Sequence, residues 1–595
     1  MRLKVLLVFG SILVLNGDII QKPSSFNSGD RNNFVPKYLQ IFVNVKDFGV
    51  KGDGSTDDTD AIQEAINYVA QIGGGIIFFP YTKNYYKLSN SLNLYSNITL
   101  MGEKYSFIYN DTSNAVPVIK IVGTSDNRLS NITIKGLKIR NGTASTNTYT
   151  TGKDGIKIEY ADNITIEDCY ITEIQGAYGL RTKYATNILV RNNVFYRCTY
   201  SCFTILVECE NIKVENNIFD TTTAQNTPQN YLFATGGENN NEGSYYCKNV
   251  WVINNKFLNN QRWEGIDTHG CENIWIENNY VENVKVGIMA GVALGYVSNP
   301  VLKNVYIRNN VLIQGNGESN HYGIVCQGNY NDSVYVPAEN VYIENNYIKG
   351  FGASNTSTIG AITIYSVKNV VIRNNKIEDF KASGILLYHD VNNVLIENNE
   401  IKNPIAGDNA GEKVGIRFRD KGLWKVKVLN NRIYSDNVNY LFTYGIKSDS
   451  QFIHCQILWN YINNYTSVKY AGTLPVNRSA TPTDLFGVQG DMATDTNDKI
   501  TYACSNAVIR FSSSVSTGIT VSGTAGSNQL TITSGDFRKL CEGLEIVIIG
   551  AGAGGGNLTT TIIKLTNKKI WIRDNLINSI KDAKIYYTNA TWKTI

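Results

Sequence analysis

Four histidines in 595 residues and a net charge of only +4 mark what this chain has little of. Each scarcity excludes something. With 55 basic side chains against 51 acidic ones, there is no one-signed face of the kind that holds nucleic acid. Beyond the first twenty residues no apolar run could span a membrane. Ten cysteines do not form a disulfide scaffold in a chain this long, and no CxxC pair has zinc-ligand spacing. Cys169, Cys198, Cys202, Cys271 and Cys326 fall inside a repeat, where small buried apolar side chains are expected. No ligand cluster calls for a metal or cofactor, calcium included.

What the chain has is tyrosine (37), glycine (51) and much asparagine, which suit strands, turns and sugar-facing surfaces. At the start, Arg2 and Lys4 precede a short apolar run from Val5, the form of a secretory signal peptide. Residues 1–20 are therefore expected to be a signal peptide or an attachment segment, and 21–42 a linker.

Self-similarity is the strongest signal. NILVRNN (187–193), NIKVENN (211–217), NVWVINN (249–255) and NIWIENN (273–279) are followed by NVYIRNN (304–310), NVYIENN (340–346), NVVIRNN (369–375) and NVLIENN (393–399). Each alternates apolar and polar residues, the period of a strand with one buried face. The Asn pair ends the strand. Asn tolerates the left-handed backbone of a sharp bend, and equivalent Asn side chains can stack as amide ladders. A second strand, led by Gly or a small residue, precedes each copy: GLRTKY from 179, GIDTHG from 265, GILLYH from 384, GIRFRD from 415. The tightest spacing between Asn pairs, 192 to 216, is that of a coil with at least two strands and no helix. This predicts an all-β fold, a single-stranded parallel β-helix over residues 43–475.

Before the coils, VNVKDFGVKGDGSTDDTDAIQEAINYVAQIGGGIIFFP (43–80) predicts a helix capped by Asp57 or Thr56. Its apolar face of Ala61, Ile62, Ala65, Ile66 and Val69 would cover the open end of the solenoid. The run DGSTDD lacks calcium-loop spacing and is expected to be turn and cap. VKDFGVKGDGSTDDTDAIQEAIN followed by GGGIIFFP resembles the opening of the pectate-lyase-like superfamily of right-handed β-helix proteins. That resemblance extends over about residues 43–470. It implies a right-handed helix with an N-terminal capping helix, as in phage tailspikes and secreted polysaccharide-degrading enzymes. Lyases, hydrolases, epimerases and inactive binders all share the motif, so it carries fold better than reaction. From 476 to 595 the repeat is gone, and Gly-rich turns between short strands predict a small β domain, similar to trimerising or surface-binding modules of tail fibres.

One stretch breaks the monotony. RWEGIDTHG brings Glu264, Asp267 and His269 within six residues. Residues two apart on a strand share a face, so Asp267 and His269 are expected to point outward together, with Glu264 at the rim and Trp263 beside it to stack on a sugar. Aligning the Gly-led strands gives two outward columns, one with Arg181, Asp267 and Arg417, the other with Lys183, His269, Gln327 and Arg419. These cations and Gln327 are the candidate substrate contacts. A histidine with a carboxylate neighbour suits proton transfer near neutral pH. Asp-x-His on such a strand also resembles the Asp-Pro-His motif of mannuronan C5-epimerases, carried here by Asp267 and His269, with Thr268 in place of Pro. The expected function is cleavage of an extracellular, acidic polysaccharide by lyase-type proton abstraction. The alternatives are a glycoside hydrolase pairing Glu264 with Asp267, a non-catalytic adhesin or tailspike, and a C5-epimerase. The polysaccharide is the expected partner, nucleic acid is not, a homotrimer is one expected assembly, and the location is extracellular or a virion tail.

Overall fold

The computed structural model describes residues 3–8, 11–17, 40–224, 230–236, 247–292, 301–315, 320–330, 335–354, 356, 358–419, 424–449, 453–458, 460–463, 465–472, 492–495, 500–507, 516–534, 545–565, 569–587 and 590–594. Most of the expected linker, up to 39, and the segment from 473 to 491 lie outside them. The chain divides into two compact units, Met1–Lys285 with Leu294–Pro300, and Val286–Ala293 with Val301–Ile595.

In the first unit the helix Thr59–Gln71 buries Ile62, Ala65, Ile66 and Val69, the face expected from its spacing. That face packs near the strand Gly75–Phe79. Asp57 accepts from the Thr59 amide at 3.0 Å, as a capping residue should. Asp58, at the helix boundary, serves the preceding turn instead, accepting from the Lys51 and Gly52 amides at 2.6 and 2.8 Å. Asp53 accepts from the amides of Ser55 and Thr56, so the acidic run is a turn.

The coils carry three strand columns. Ser201–Ile205, Tyr231–Thr235 and Glu264–Thr268 stack in parallel register as the first. Glu210–Glu215, Cys247–Ile253 and Cys271–Glu277 form the second, the Asn-terminated strands of the repeat. Val194–Cys198, Ile218–Thr222, Lys256–Leu258 and Tyr280–Glu282 form the third. The sequence pattern gave at least two strands per coil. The third is as short as Lys256–Leu258, which turns one residue inward, and alternation cannot show in so few residues. The second unit repeats the plan: Gly360–Tyr365, Ser383–Tyr388 and Val414–Arg419 stack in one column, and Ala338–Glu344, Val367–Arg373 and Asn392–Glu397 in the next. Parallel strands stacked coil upon coil make a parallel β-helix, and apolar columns fill its interior. Phe195, Phe219 and Phe257 stack at centroid distances of 4.8 and 4.9 Å. The five cysteines named above are free and buried among these residues.

The Asn pair divides its labour. The first Asn takes the left-handed bend, with φ of 56° to 58° at Asn192, Asn216, Asn254 and Asn278. The second is buried and builds a ladder. Asn193 donates to Asn217 at 3.0 Å, Asn217 to Asn255 at 3.0 Å and Asn255 to Asn279 at 3.1 Å. A second ladder runs through Asn346, Asn375, Asn399, Asn431 and Asn460 in the other unit. Each rung also takes up backbone groups that the bend leaves without strand partners.

Toward the C-terminus, Ser516–Gly523, Gln529–Ser534, Lys569–Ile572, Leu558–Leu565, Glu545–Ile548 and Ile580–Tyr587 close into an antiparallel barrel. Its core holds Ile519, Val521, Leu530, Ile546, Ile562 and Ile585. Among the described residues no helix is long and apolar enough to cross a membrane.

Candidate active site

The strand Glu264–Thr268 is buried along its whole length, outward positions included. Asp267 is 1% exposed, so it does not stand on the open surface that strand alternation alone predicts, and Glu264, expected at the rim, is 3% exposed. Tyr231, itself buried, lies near both. It sits opposite Glu264 in the register, at the start of the preceding strand. Yet its ring meets the His269 ring edge-to-face at 5.9 Å, past the far end of the next strand. The tyrosine ring therefore packs against the histidine.

His269 follows the strand, and its side chain is 20% exposed, the most open group of the cluster. Its Nε2 lies 3.0 Å from Asp267 Oδ2. The contact is an ion pair rather than a well-aligned hydrogen bond, since neither Asp267 oxygen meets a donor in good geometry. Burial disfavours the imidazolium, but the charge and contact of Asp267 outweigh it, and the His269 pKa stands above its ordinary 6.5. Glu264 moves the same way for different reasons. Burial first, then the charge of Asp267, push its carboxyl well up, and a hydrogen bond from Trp263 and the charge of Lys285 only partly offset this. Glu264 is thus biased toward its protonated form. Burial first, then the charge of Asp267, also keep the Tyr231 hydroxyl protonated.

Unpaired buried polar atoms gather here: Asn230 Oδ1, Thr235 Oγ1, Glu264 Oε2 and both oxygens of Asp267. Native proteins leave few such groups, so a cluster of them singles this place out among the coils. Among the described residues, no three acidic, histidine or cysteine side chains are set to hold a metal ion.

Gly236 fixes the histidine. A Cβ on it would lie 2.3 Å from His269 Cβ, and its φ is +133°. We expect Gly236→Ala to displace His269 and to lower turnover about 10²-fold, the usual consequence of an ångström-scale misplacement. Steady-state rates on the purified variant check this.

The other sequence candidates scatter. The register Arg181, Thr204, Ala234, Asp267 places Arg181 in the column of Asp267, three coils away. Arg181 pairs with Asp154 at 3.0 Å and flanks the Tyr178 ring at 5.6 Å. Lys183 lies over the Tyr184 ring at 4.9 Å. Trp263 is at the site, with Lys285 Nζ 4.7 Å from its ring centroid. In the second unit, Gln327, Tyr365, Tyr388 and Arg419 do form a register column. Arg417 is not a solvated grip on substrate. It is buried against Asp408, Glu412 and Asp449 at 2.9, 3.1 and 2.8 Å, because a guanidinium at that depth needs carboxylates around it. Sequence reasoning missed Tyr231 and Lys285. Tyr231 had a signal, since YLFAT occupies the place of EGIDT one coil earlier, but without the usual Gly the strand goes unrecognised.

Comparison with known proteins agrees with this architecture. Residues 42–116 match the family model described as rhamnogalacturonase A/epimerase, pectate lyase-like, and residues 96–257 match the right handed beta helix region. The chain is 38% identical over 96 residues to alginate lyase 7 of Azotobacter vinelandii, 15% of this chain and 10% of that one. It is 27% identical over 214 residues to mannuronan C5-epimerase AlgE3 of the same organism, 29% of this chain and 11% of that one. It therefore spans about a tenth of the length of these curated relatives. Among solved structures, the surface adhesin PfbA of Streptococcus pneumoniae aligns with 78% of this chain and 96% of its own at 17% identity, with a TM-score of 0.46. The chain carries a right-handed parallel β-helix that opens on a pectate-lyase-like segment.

Proposed function

We propose that this protein acts on an acidic polysaccharide outside the cell or on a virion tail, and that His269 removes the proton next to a uronate carboxylate. The observation that carries this is the order of exposure: His269 is reachable, and Asp267 stands behind it. With Nε2 turned to Asp267, the proton stays on Nε2 and Nδ1 carries the lone pair that acts as base. The C5–H proton passes to His269. Its electrons form the C4–C5 double bond as the C4–O4 bond breaks. The departing oxygen takes a proton from Tyr231 or Glu264, both held protonated at the same place. Lys285 supplies a cation for the substrate carboxylate, and Trp263 a ring face.

The pairing of Glu264 with Asp267 across a glycosidic bond is less well supported. Hydrolysis needs both carboxylates to face the bond, and Asp267 has neither oxygen open to solvent. An epimerase remains the second reading, favoured by the identity to AlgE3. It shares the proton abstraction and returns the proton to the opposite face of the carbon, without breaking the chain.

The test is incubation with anionic and neutral polysaccharides, following ultraviolet absorbance of unsaturated uronates together with chain length and uronate stereochemistry. Shortening with rising absorbance supports elimination. Altered stereochemistry at constant length replaces it with epimerisation. Shortening without absorbance, or binding without any chemistry, sinks the proton-abstraction reading. The pH profile adds a second check. His269 acts only when neutral, and its pKa is raised, so kcat/KM is expected to climb with pH through an apparent pKa above 6.5. An ascending limb at ordinary carboxylate values would instead point to a carboxylate base.

A further inference from the structure

Three of the buried thiols form a column. Cys247 and Cys271 begin the second strands of two successive coils and stand opposite each other in parallel register. One coil earlier, Glu210 stands opposite Lys248, which puts Cys209 level with Cys247. All three thiols are free, and none is more than 1% exposed. Register partners in a parallel pair point to the same side of the sheet, and neighbouring strands lie about 4.8 Å apart. That spacing falls inside the roughly 4.4–6.8 Å between α-carbons that a disulfide spans. The thiols are not held equally. Cys209 Sγ donates to Thr182 Oγ1 at 3.5 Å and to the Val207 carbonyl at 3.6 Å, and Cys247 Sγ to the Leu206 carbonyl at 2.9 Å. The Cys271 Sγ contact, to the Glu272 carbonyl, is 3.8 Å long, so Cys271 gives up least on leaving it. Cys271 also lies two residues past His269, across Gly270 at φ +136°.

We infer that Cys247 and Cys271 are a disulfide site, closed while the chain folds in an oxidising compartment. The bond ties the coil that carries Glu264, Asp267 and His269 to the coil before it. It does not depend on the reaction proposed at His269. The oxidant is a small disulfide such as that of glutathione. The Cys271 thiolate attacks one of its sulfurs and releases one thiolate, and the Cys247 thiolate then attacks the Cys271 sulfur and releases the second. Two protein thiols are oxidised, one small disulfide is reduced to two thiols, and the two protons pass to the released thiolates. Timing follows from the position of the column inside the coils. Burial pushes all three thiols up from their ordinary value, so the finished coil holds almost no thiolate and admits no oxidant. The bond therefore forms before the coil closes.

The experiment makes the full chain by cell-free synthesis, once in a buffer of glutathione and glutathione disulfide and once with dithiothreitol. Its cysteines are mapped by mass spectrometry of alkylated, unreduced peptides, and thermal unfolding is followed on wild type, Cys209→Ala and Cys271→Ala. After oxidising synthesis most chains are expected to carry the linked peptide of Cys247 and Cys271, and to unfold about 5 °C above the dithiothreitol product. Cys209→Ala should keep both the link and the shift, and Cys271→Ala should lose both. The peptide map of the wild type decides the site even where a variant fails to fold. Glutathione disulfide added to the finished, reduced protein should leave the thiols unlinked. Free, alkylated Cys247 and Cys271 after oxidising synthesis would overturn the site. So would linkage of Cys247 to Cys209, or of Cys198 to Cys202, in its place. Linkage of the finished protein as readily as during synthesis would overturn the order of events.

Discussion

His269→Gln and Asp267→Asn are each expected to lower turnover by about 10²- to 10⁴-fold, the span over which a positioned general base contributes. Their effects on stability should differ in a way that separates chemistry from architecture. Asp267 is a carboxylate only 1% exposed, met by His269 Nε2 at 3.0 Å without a well-aligned hydrogen bond. Such a group is costly in the folded state. Asp267→Asn removes the charge and keeps the shape, so the variant is expected to unfold at a temperature equal to or above that of the wild type while losing activity. A residue kept for structure behaves oppositely, and a large drop in the unfolding midpoint with activity intact would remove Asp267 from the reaction. His269→Gln carries the complementary sign. It strips Asp267 of its nearest cation, so it should cost some stability as well as turnover. Two variants of one dyad that agree on activity and disagree on stability are hard to explain except by a site held at the expense of folding.

Asn255→Leu is expected to be among the most destabilising single changes in the coils, about 4 kcal/mol from the cost of leaving buried polar groups unpaired. Asn255 Nδ2 donates to the Val214 carbonyl at 2.9 Å and to Asn279 Oδ1 at 3.1 Å. Its Oδ1 accepts from the Asn217 amide at 2.9 Å and from Asn217 Nδ2 at 3.0 Å. Leucine has similar bulk and satisfies none of them. The neighbour gives the control. Asn254 takes the bend at φ 58°, where glycine is at ease and a β-branched residue is not. Asn254→Gly should therefore be nearly neutral and Asn254→Val clearly destabilising, while at 255 neither replacement is tolerated. Denaturant midpoints of the four variants check the division. Equal losses at 254 and 255 would contradict the separate roles of bend and ladder.

Much of this was legible before any coordinates. NIWIENN shows a strand by alternation, a bend by its first Asn and a ladder by its second, because each follows from local chemistry repeated at a fixed interval. The capping helix was equally plain, since Ile62, Ala65, Ile66 and Val69 recur at the period of a helix. The short third strands were not, because a single inward residue has no period.

The site was half legible. Asp267 and His269 stood out from the repeat, and closeness in sequence brought them within 3.0 Å in space. What sequence could not give was depth. A strand's outward residues are exposed only if their neighbours leave them uncovered, and here Asp267 is buried, with Tyr231, from the coil before, against His269. Arg417 shows the same limit from the other side: it reads as a free cation, and becomes a buried one because Asp408, Glu412 and Asp449 converge on it from other turns of the chain. The sequence by itself determined the coil, its bends and where acids and a histidine interrupt the repeat. Only the tertiary structure decided which of them meet solvent, which hold protons and which are already spent on one another, because burial and charge are set by neighbours that the register brings from many residues away.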